Sequence, residues 1–193
     1  IACRLQENNA LDSDSPYSAD SLHLVHLPKE SVDWVLLQLT AATDTLPVLN
    51  RSALLRPDGL LIHPRSGESV WELPTPPGSY RLLLRHRNHL MVRSAAPITL
   101  TAGDTTYFDA SAGHALADES SAVQLAPGLF GLRAGDLDQN GRIDQDDYEL
   151  WFHSALKAQE GYCAADVNLD GLVTTLDLTL LYNSHHCLNP APF

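Results

Sequence analysis

Positive charge is scarce in this chain: twelve Lys and Arg stand against twenty-four Asp and Glu, a formal net charge of −12 over 193 residues. Binding to phosphate backbones needs a basic surface, so the charge argues against nucleic acid as a partner. Long apolar runs are missing too. None approaches the roughly 18 apolar residues a bilayer span requires, so no membrane span is expected. Catalytic signatures are absent: there is no nucleophile elbow, no phosphate-cradling glycine loop and no His-Glu-x-x-His. The chain begins at Ile1 rather than Met and shows no signal-peptide pattern, so either a processed mature form or an expressed fragment is expected. Cysteine is limited to Cys3, Cys163 and Cys187. Three cysteines allow three pairings, and the sequence alone does not choose among them. An apolar content of 44% is nevertheless ordinary for a globular protein, so the chain has the material for a core.

What the chain does have is acid in a pattern. Asp136 to Asp147 (DLDQNGRIDQDD) and Asp166 to Asp177 (DVNLDGLVTTLD) place oxygen-bearing side chains at alternate positions ahead of a glycine. A hard cation such as calcium takes about six to eight oxygen ligands, and a loop surrounds it only with such spacing. In the first stretch the candidate ligands are Asp136, Asp138 and Asn140, the Arg142 carbonyl, Asp144 and Asp147, with Gly141 at the turn. The second repeats them as Asp166, Asn168, Asp170, the Leu172 carbonyl, Thr174 and Asp177, with Gly171 at the turn. Two calcium ions are therefore expected as cofactors. Ile143 and Val173 occupy the eighth position, where apolar side chains can pair the loops back to back. Residues 136–177 hold eight Asp and two Glu against Arg142 and Lys157. Two calcium ions would offset about half of that excess, which couples folding of this part to the metal.

Each loop runs into helical spacing, over Asp147 to Leu156 and over Asp177 to Tyr182. The residues ahead of them, Ala134-Gly135 and Gly161-Tyr162-Cys163, are poor helix material. These are loop-helix units without a leading helix, and the closing residue is Asp where an EF-hand has Glu. Tandem loop-helix motifs of this kind resemble the type I dockerin, over residues 133–187. The resemblance implies calcium, a small α fold and a cohesin-like partner. In that family the residues just before the closing Asp help contact the cohesin; here they are Gln145-Asp146 and Thr175-Leu176, not the familiar Ser-Thr pair.

Ahead of this, from Ser21 to Leu125, short apolar or alternating runs are broken by Pro and Gly clusters roughly every eight to twelve residues, the spacing of an all-β sandwich. Expected strands are Val32 to Leu39, Ala53 to Arg56, Leu60 to His63, Tyr80 to Arg87, Leu90 to Arg93, Ile98 to Thr101, Thr105 to Asp109 and Ala122 to Leu125. Pro76-Pro77-Gly78-Ser79-Tyr80 resembles the turn-into-strand of prealbumin-like and immunoglobulin-like accessory domains of secreted bacterial proteins. Trp34 belongs in a core strand. Trp71, beside a Pro-rich turn, is either an edge residue or a sugar-stacking platform. His86 and His89 converge only if the turn at Arg87-Asn88 folds them together. Asn50-Arg51-Ser52 matches a glycosylation acceptor, and Asp20-Ser21, Asp44-Thr45 and Asp104-Thr105 match a short O-glycosylation pattern.

The expected organisation is an N-terminal arm over 1–20, a β-sandwich over 21–126 and a dockerin-like calcium module over 127–193, hinged at Ala126-Pro127-Gly128. The arm docks either on its own domain or, through an alternating Ile1-Ala2-Cys3-Arg4-Leu5 strand, on a neighbouring subunit. Cys163 and Cys187 bracket the second loop-helix unit, and a disulfide between them is expected. Paired cysteines and millimolar calcium both place the protein outside the cytosol, secreted or on a bacterial cell surface. The function expected is a non-enzymatic connector that joins identical subunits in a fibre or plugs into a cohesin-like domain. The alternative is a carbohydrate-binding fragment of a secreted enzyme.

Overall fold

The computed structural model describes residues 4–43, 46–112, 115–117 and 119–188. Among them the chain is mainly antiparallel β, with strands β1 (Asp33–Ala41), β2 (Pro47–Leu55), β3 (Leu61–Ile62), β4 (Gly78–His86), β5 (His89–Arg93), β6 (Ile98–Leu100), β7 (Ala122–Ala126) and β8 (Leu129–Leu132). Three helices accompany them: a single turn α1 (Arg4–Glu7), then α2 (Gln145–Leu156) and α3 (Thr175–Leu188). The first six strands form one sheet in the order β3-β2-β1-β4-β5, with β6 beside β4, and β7 pairs with β8 in a separate hairpin.

The central strand β1 shows why the sheet forms where it does. Side chains alternate across a strand, so Trp34 and Leu36 join Leu54 and Ile62 on one face, while Val35 and Leu39 join Leu49, Leu82, Leu84 and Val92 on the other. Both faces are covered, which is why β1 reads as an almost unbroken apolar run. Leu116, Ala122, Phe108 and Phe130 close the second face, an arrangement consistent with a sandwich. The first face is closed by the N-terminal segment through Leu5, Leu11, Tyr17 and Leu24. Each of these buried side chains contributes about 1.5–3 kcal/mol from removal of apolar surface from water.

Residues 4–20 thus pack on the chain's own sheet. The Trp34 indole N–H donates to Asp12 O at 2.9 Å, and the Tyr17 hydroxyl reaches Trp34 O and Arg85 O at 3.1 Å each. Asp20 accepts the Ser52 amide at 2.5 Å, covering the edge of β2 beyond its short pairing with β3. Where an extended stretch was expected up to Leu5, Arg4–Glu7 is helical; Ile1 to Cys3 lie outside the described residues. Gln6 fixes this turn by donating to Pro28 O at 2.7 Å and accepting the Ser31 amide at 2.9 Å.

Two further expectations are corrected. Ala126-Pro127-Gly128 is not a hinge: Ala126 pairs with Leu129, and the stretch is the turn of the β7–β8 hairpin, with Gly128 at φ 77°. Thr105 to Asp109 forms no strand. Its polar side chains serve the local backbone instead, with Asp104 accepting the Thr105 amide at 2.9 Å and Thr106 donating to Thr99 O at 3.0 Å.

The helices have a core of their own, in which Leu137, Trp151, Ala165, Val167 and Leu181 are buried together. The Trp151 indole N–H donates to Thr174 O at 3.2 Å and so ties α2 to the second acidic stretch. Cys163 and Cys187 are free thiols rather than the expected disulfide. Cys163 packs into this helical core while Cys187 is exposed in the last turn of α3, so that helix is held by burial of Leu181 and Leu178.

Candidate metal centre

The two acidic stretches fold into one wiring diagram, used twice. The closing carboxylate sits at the centre of each. Asp147 accepts the amides of Leu137 at 2.6 Å, Asp138 at 3.3 Å and Asp144 at 2.9 Å. Asp177 accepts those of Val167 at 2.8 Å, Asn168 at 2.9 Å and Thr174 at 2.8 Å, the same three positions. The first residue of each loop accepts the turn glycine, Asp136 from Gly141 at 3.2 Å and Asp166 from Gly171 at 3.0 Å. The third accepts the amide of the fifth, and the fifth that of the seventh, in both loops. Gln139 and Leu169 both take a left-handed backbone at the fourth position, φ 60° and 62°, and the glycines follow at 85° and 87°.

This wiring turns side-chain oxygens inward. One carboxylate oxygen from each of Asp136, Asp138 and Asp147 lies within 4.8 Å of the others. Asp136 is 2% exposed, and its Oδ1 is buried with no hydrogen-bond partner. Such an atom costs about 1–3 kcal/mol unless something satisfies it. Burial, followed by the Asp147 charge, pushes the Asp136 carboxyl up to about 7. Burial likewise raises Asp147, and it raises Asp166 to about 6 against the opposing help of the Gly171 amide and Arg87. Three carboxylates that bring an oxygen each to one place, with a buried oxygen of Asp136 unpartnered, fit a hard cation, which takes oxygen ligands and supplies the missing charge. In the second loop Asn168 takes the place of the second carboxylate, and both Asp166 oxygens accept amides, from Asp170 and from Gly171 at 3.0 Å each.

The ninth residues are used differently from the others. Asp144 is the N-cap of α2, accepting the Asp146 amide at 3.0 Å in a capping box with Asp147. Thr174 accepts the Leu176 amide at 3.2 Å and donates to Asp177 at 3.2 Å. Both side chains start helices, which explains why helices follow the loops directly. The eighth residues, whose apolar side chains were expected to pair the loops back to back, are a buried Ile143 and a Val173 packed against the helical core. Val173 donates to Gln159 O at 3.3 Å and Gly161 to Gly171 O at 2.8 Å, so the second loop pairs with the segment that leads into it. Ile143 is buried above Gly135.

The residues that sequence reasoning missed join this centre to the sheet. β4 and β5 meet in a two-residue turn, Arg87-Asn88, whose tip is buried between the loops. Arg87 donates to Asp33 Oδ2 at 2.9 Å, to Cys163 O and, at 3.5 Å, to Asp166 O, with its guanidinium 4.4 Å from the centre of the Tyr162 ring. Tyr162 donates to the other Asp33 oxygen at 2.6 Å. Asn88 donates to Ala164 O at 3.0 Å and Asp166 O at 2.8 Å, and its carbonyl accepts the Gly135 amide at 2.8 Å. The turn does bring His86 and His89 together, at 4.4 Å between ring centres, but each Nδ1 faces Asn88 Oδ1. The one legible signal was a polar His-Arg-Asn-His tip between two apolar strands.

The remaining candidates are dispersed. Trp71 is half-buried, 6.2 Å from the His63 ring, in a stretch without a strand. Asn50 lies within β2 and accepts Gln38 Nε2 at 2.6 Å. Asp44-Thr45 lies outside the described residues. The molecule so defined is a mainly β protein that carries two acidic loop-helix units and buries the tip of a hairpin between them. No family model, no curated protein and no solved structure matches the chain.

Proposed function

We propose that this protein is a non-enzymatic, calcium-stabilised connector of an extracellular bacterial assembly. In this reading the C-terminal part is a dockerin-like module that holds two calcium ions, one in 136–147 and one in 166–177. The β region is an immunoglobulin-like or prealbumin-like accessory domain. The observation that carries it is the repetition of one carboxylate-to-amide wiring in both loops, with the carboxylates of Asp136, Asp138 and Asp147 converging in the first and Asp136 Oδ1 buried and unsatisfied. Calcium then acts as structural metal, because it neutralises carboxylates that otherwise repel one another across the loop.

The protein-partner side of the proposal rests on the helices. Phe152 and Leu156 on α2 and Leu176, Leu180 and Tyr182 on α3 are all exposed, apolar bulk that a self-contained helical pair would turn inward. Titration calorimetry of the full chain with calcium after chelator treatment is the direct test. The expected result is two ions per chain, with a thermal midpoint that rises on loading. A heat trace indistinguishable from buffer would overturn the calcium reading. Sedimentation in calcium and in chelator tests the connector reading, which requires self-association or capture of a purified cohesin-like domain in calcium only.

A further inference from the structure

The two loops share a wiring but not a setting. Asp138, Gln139, Asn140, Gly141 and Arg142 are all exposed, whereas Asn168, Leu169 and Asp170 are half-buried and Gly171 is buried. What covers the second loop is the N-terminal segment. Asn8 donates from its side chain to Asp170 O at 2.8 Å. The Ala10 methyl sits over Gly171, close enough that a Cβ on the glycine would lie 3.2 Å from it. Leu169 packs against the cluster that contains fully buried Leu5, Trp34 and Leu54. From below, Arg87 and Asn88 hold the carbonyls of Cys163, Ala164 and Asp166. Toward the hairpin tip, Gln139 of the first loop donates to Arg87 O at 3.1 Å, and Gly135 just ahead of it donates to Asn88 O.

We infer that the second loop is a slowly exchanging cation site gated by residues 4–11, while the first is an open, rapidly exchanging one. This rests on the calcium reading above and adds a division of labour to it. A cation leaving the first loop passes through exposed chain. A cation leaving the second needs Asn8 and Ala10 to lift, and these are tethered through Leu5 to the sheet core, so release waits on local opening of that segment. The coupling is reciprocal: a filled second loop holds residues 4–11 in place, and their docking holds the ion. The arrangement makes the N-terminal segment a sensor of one site only.

Stopped-flow release from the calcium-loaded full chain into a fluorescent chelator tests this. Two phases of equal amplitude are expected, the slow one at least about tenfold slower, the factor set by about 1.4 kcal/mol of added barrier. Asp136→Asn should abolish the fast phase and Asp166→Asn the slow one. Asn8→Ala, at an exposed side chain, should accelerate the slow phase alone. As an independent readout, hydrogen exchange at the Ala10 and Leu11 amides, both bonded to Leu5 O, should be protected by calcium in Asp136→Asn but not in Asp166→Asn. Two ions released in a single phase, or a slow phase that Asn8→Ala leaves untouched, would overturn the gate while leaving calcium binding intact. Zero bound ions would instead remove the calcium reading itself.

Discussion

Arg87 and Asp166, 79 residues apart in sequence, are neighbours in space: the guanidinium lies 2.9 Å from Asp33 Oδ2 and 3.7 Å from Asp166 Oδ2, with its side chain 5% exposed and both carboxylates at 0%. One buried cation therefore serves an acid of the sheet and an acid of the second loop.

Replacing it should uncouple the two halves. Arg87→Met removes the guanidinium from buried Asp33, which keeps the His86 ring at 3.1 Å and the Tyr162 hydroxyl at 2.6 Å, and loss of one partner from a buried pair costs about 3–5 kcal/mol. Urea unfolding in calcium should show that loss, with separate transitions for the sheet and the loop-helix part. A destabilisation below about 1 kcal/mol would mean the pair is replaceable by water.

The ligand variants give the second prediction. Asp136→Ala and Asp166→Ala should each lower calcium stoichiometry from two to one. At calcium about 100-fold above the dissociation constant, each lost site removes about 2.7 kcal/mol of stability. In chelator neither variant should be destabilised by that amount. Equal melting curves for variant and parent in calcium would refute the assignment.

The pH dependence has opposite signs with and without metal. Asp136 and Asp166 have folded-state values raised to about 7 and about 6, above the roughly 3.9 of an unfolded Asp. In chelator their contribution is fully present below about pH 4 and is lost as pH rises through about 6 to 7. Calcium binds the ionised forms, so the calcium-induced rise in thermal midpoint should grow from pH 5 to pH 7.5. A rise that stays constant over that range would show that these carboxylates do not face the ion.

Ala158 supplies a test independent of function. It follows α2 at φ 46°, exposed, with its amide donating to Ala155 O. A left-handed residue after a helix favours glycine, because an L-side chain there costs about 1–2 kcal/mol. Ala158→Gly should stabilise the protein by about 0.5–1 kcal/mol after the entropic cost of glycine. Thermal or urea unfolding would register it, and a loss of stability would contradict the cap geometry.

What was legible in the sequence is what repeats at short range. The oxygen spacing of Asp136 to Asp147 and Asp166 to Asp177 located both loops, and the apolar run of Val32 to Leu39 located β1. Missed features depend on distance or irregularity. Leu5, Leu11, Tyr17 and Leu24 close one face of the sheet from an irregular segment, so no period marks them. Pro127-Gly128 reads equally well as a linker or as a tight turn until Phe130 is seen to reach the core. Arg87 draws its role from Asp33 and Cys163, 54 and 76 residues away, and no local pattern encodes such a contact.

The buried tip of the β4–β5 hairpin bears on how this chain can be cut and rejoined. Spliced behind a different passenger, residues 133–188 would offer the Ala164 and Asp166 carbonyls and the Gly135 amide to a surface with nothing shaped to receive them. The loop-helix part behaves as a socket already filled by its own chain, and it can be transplanted intact only together with the plug.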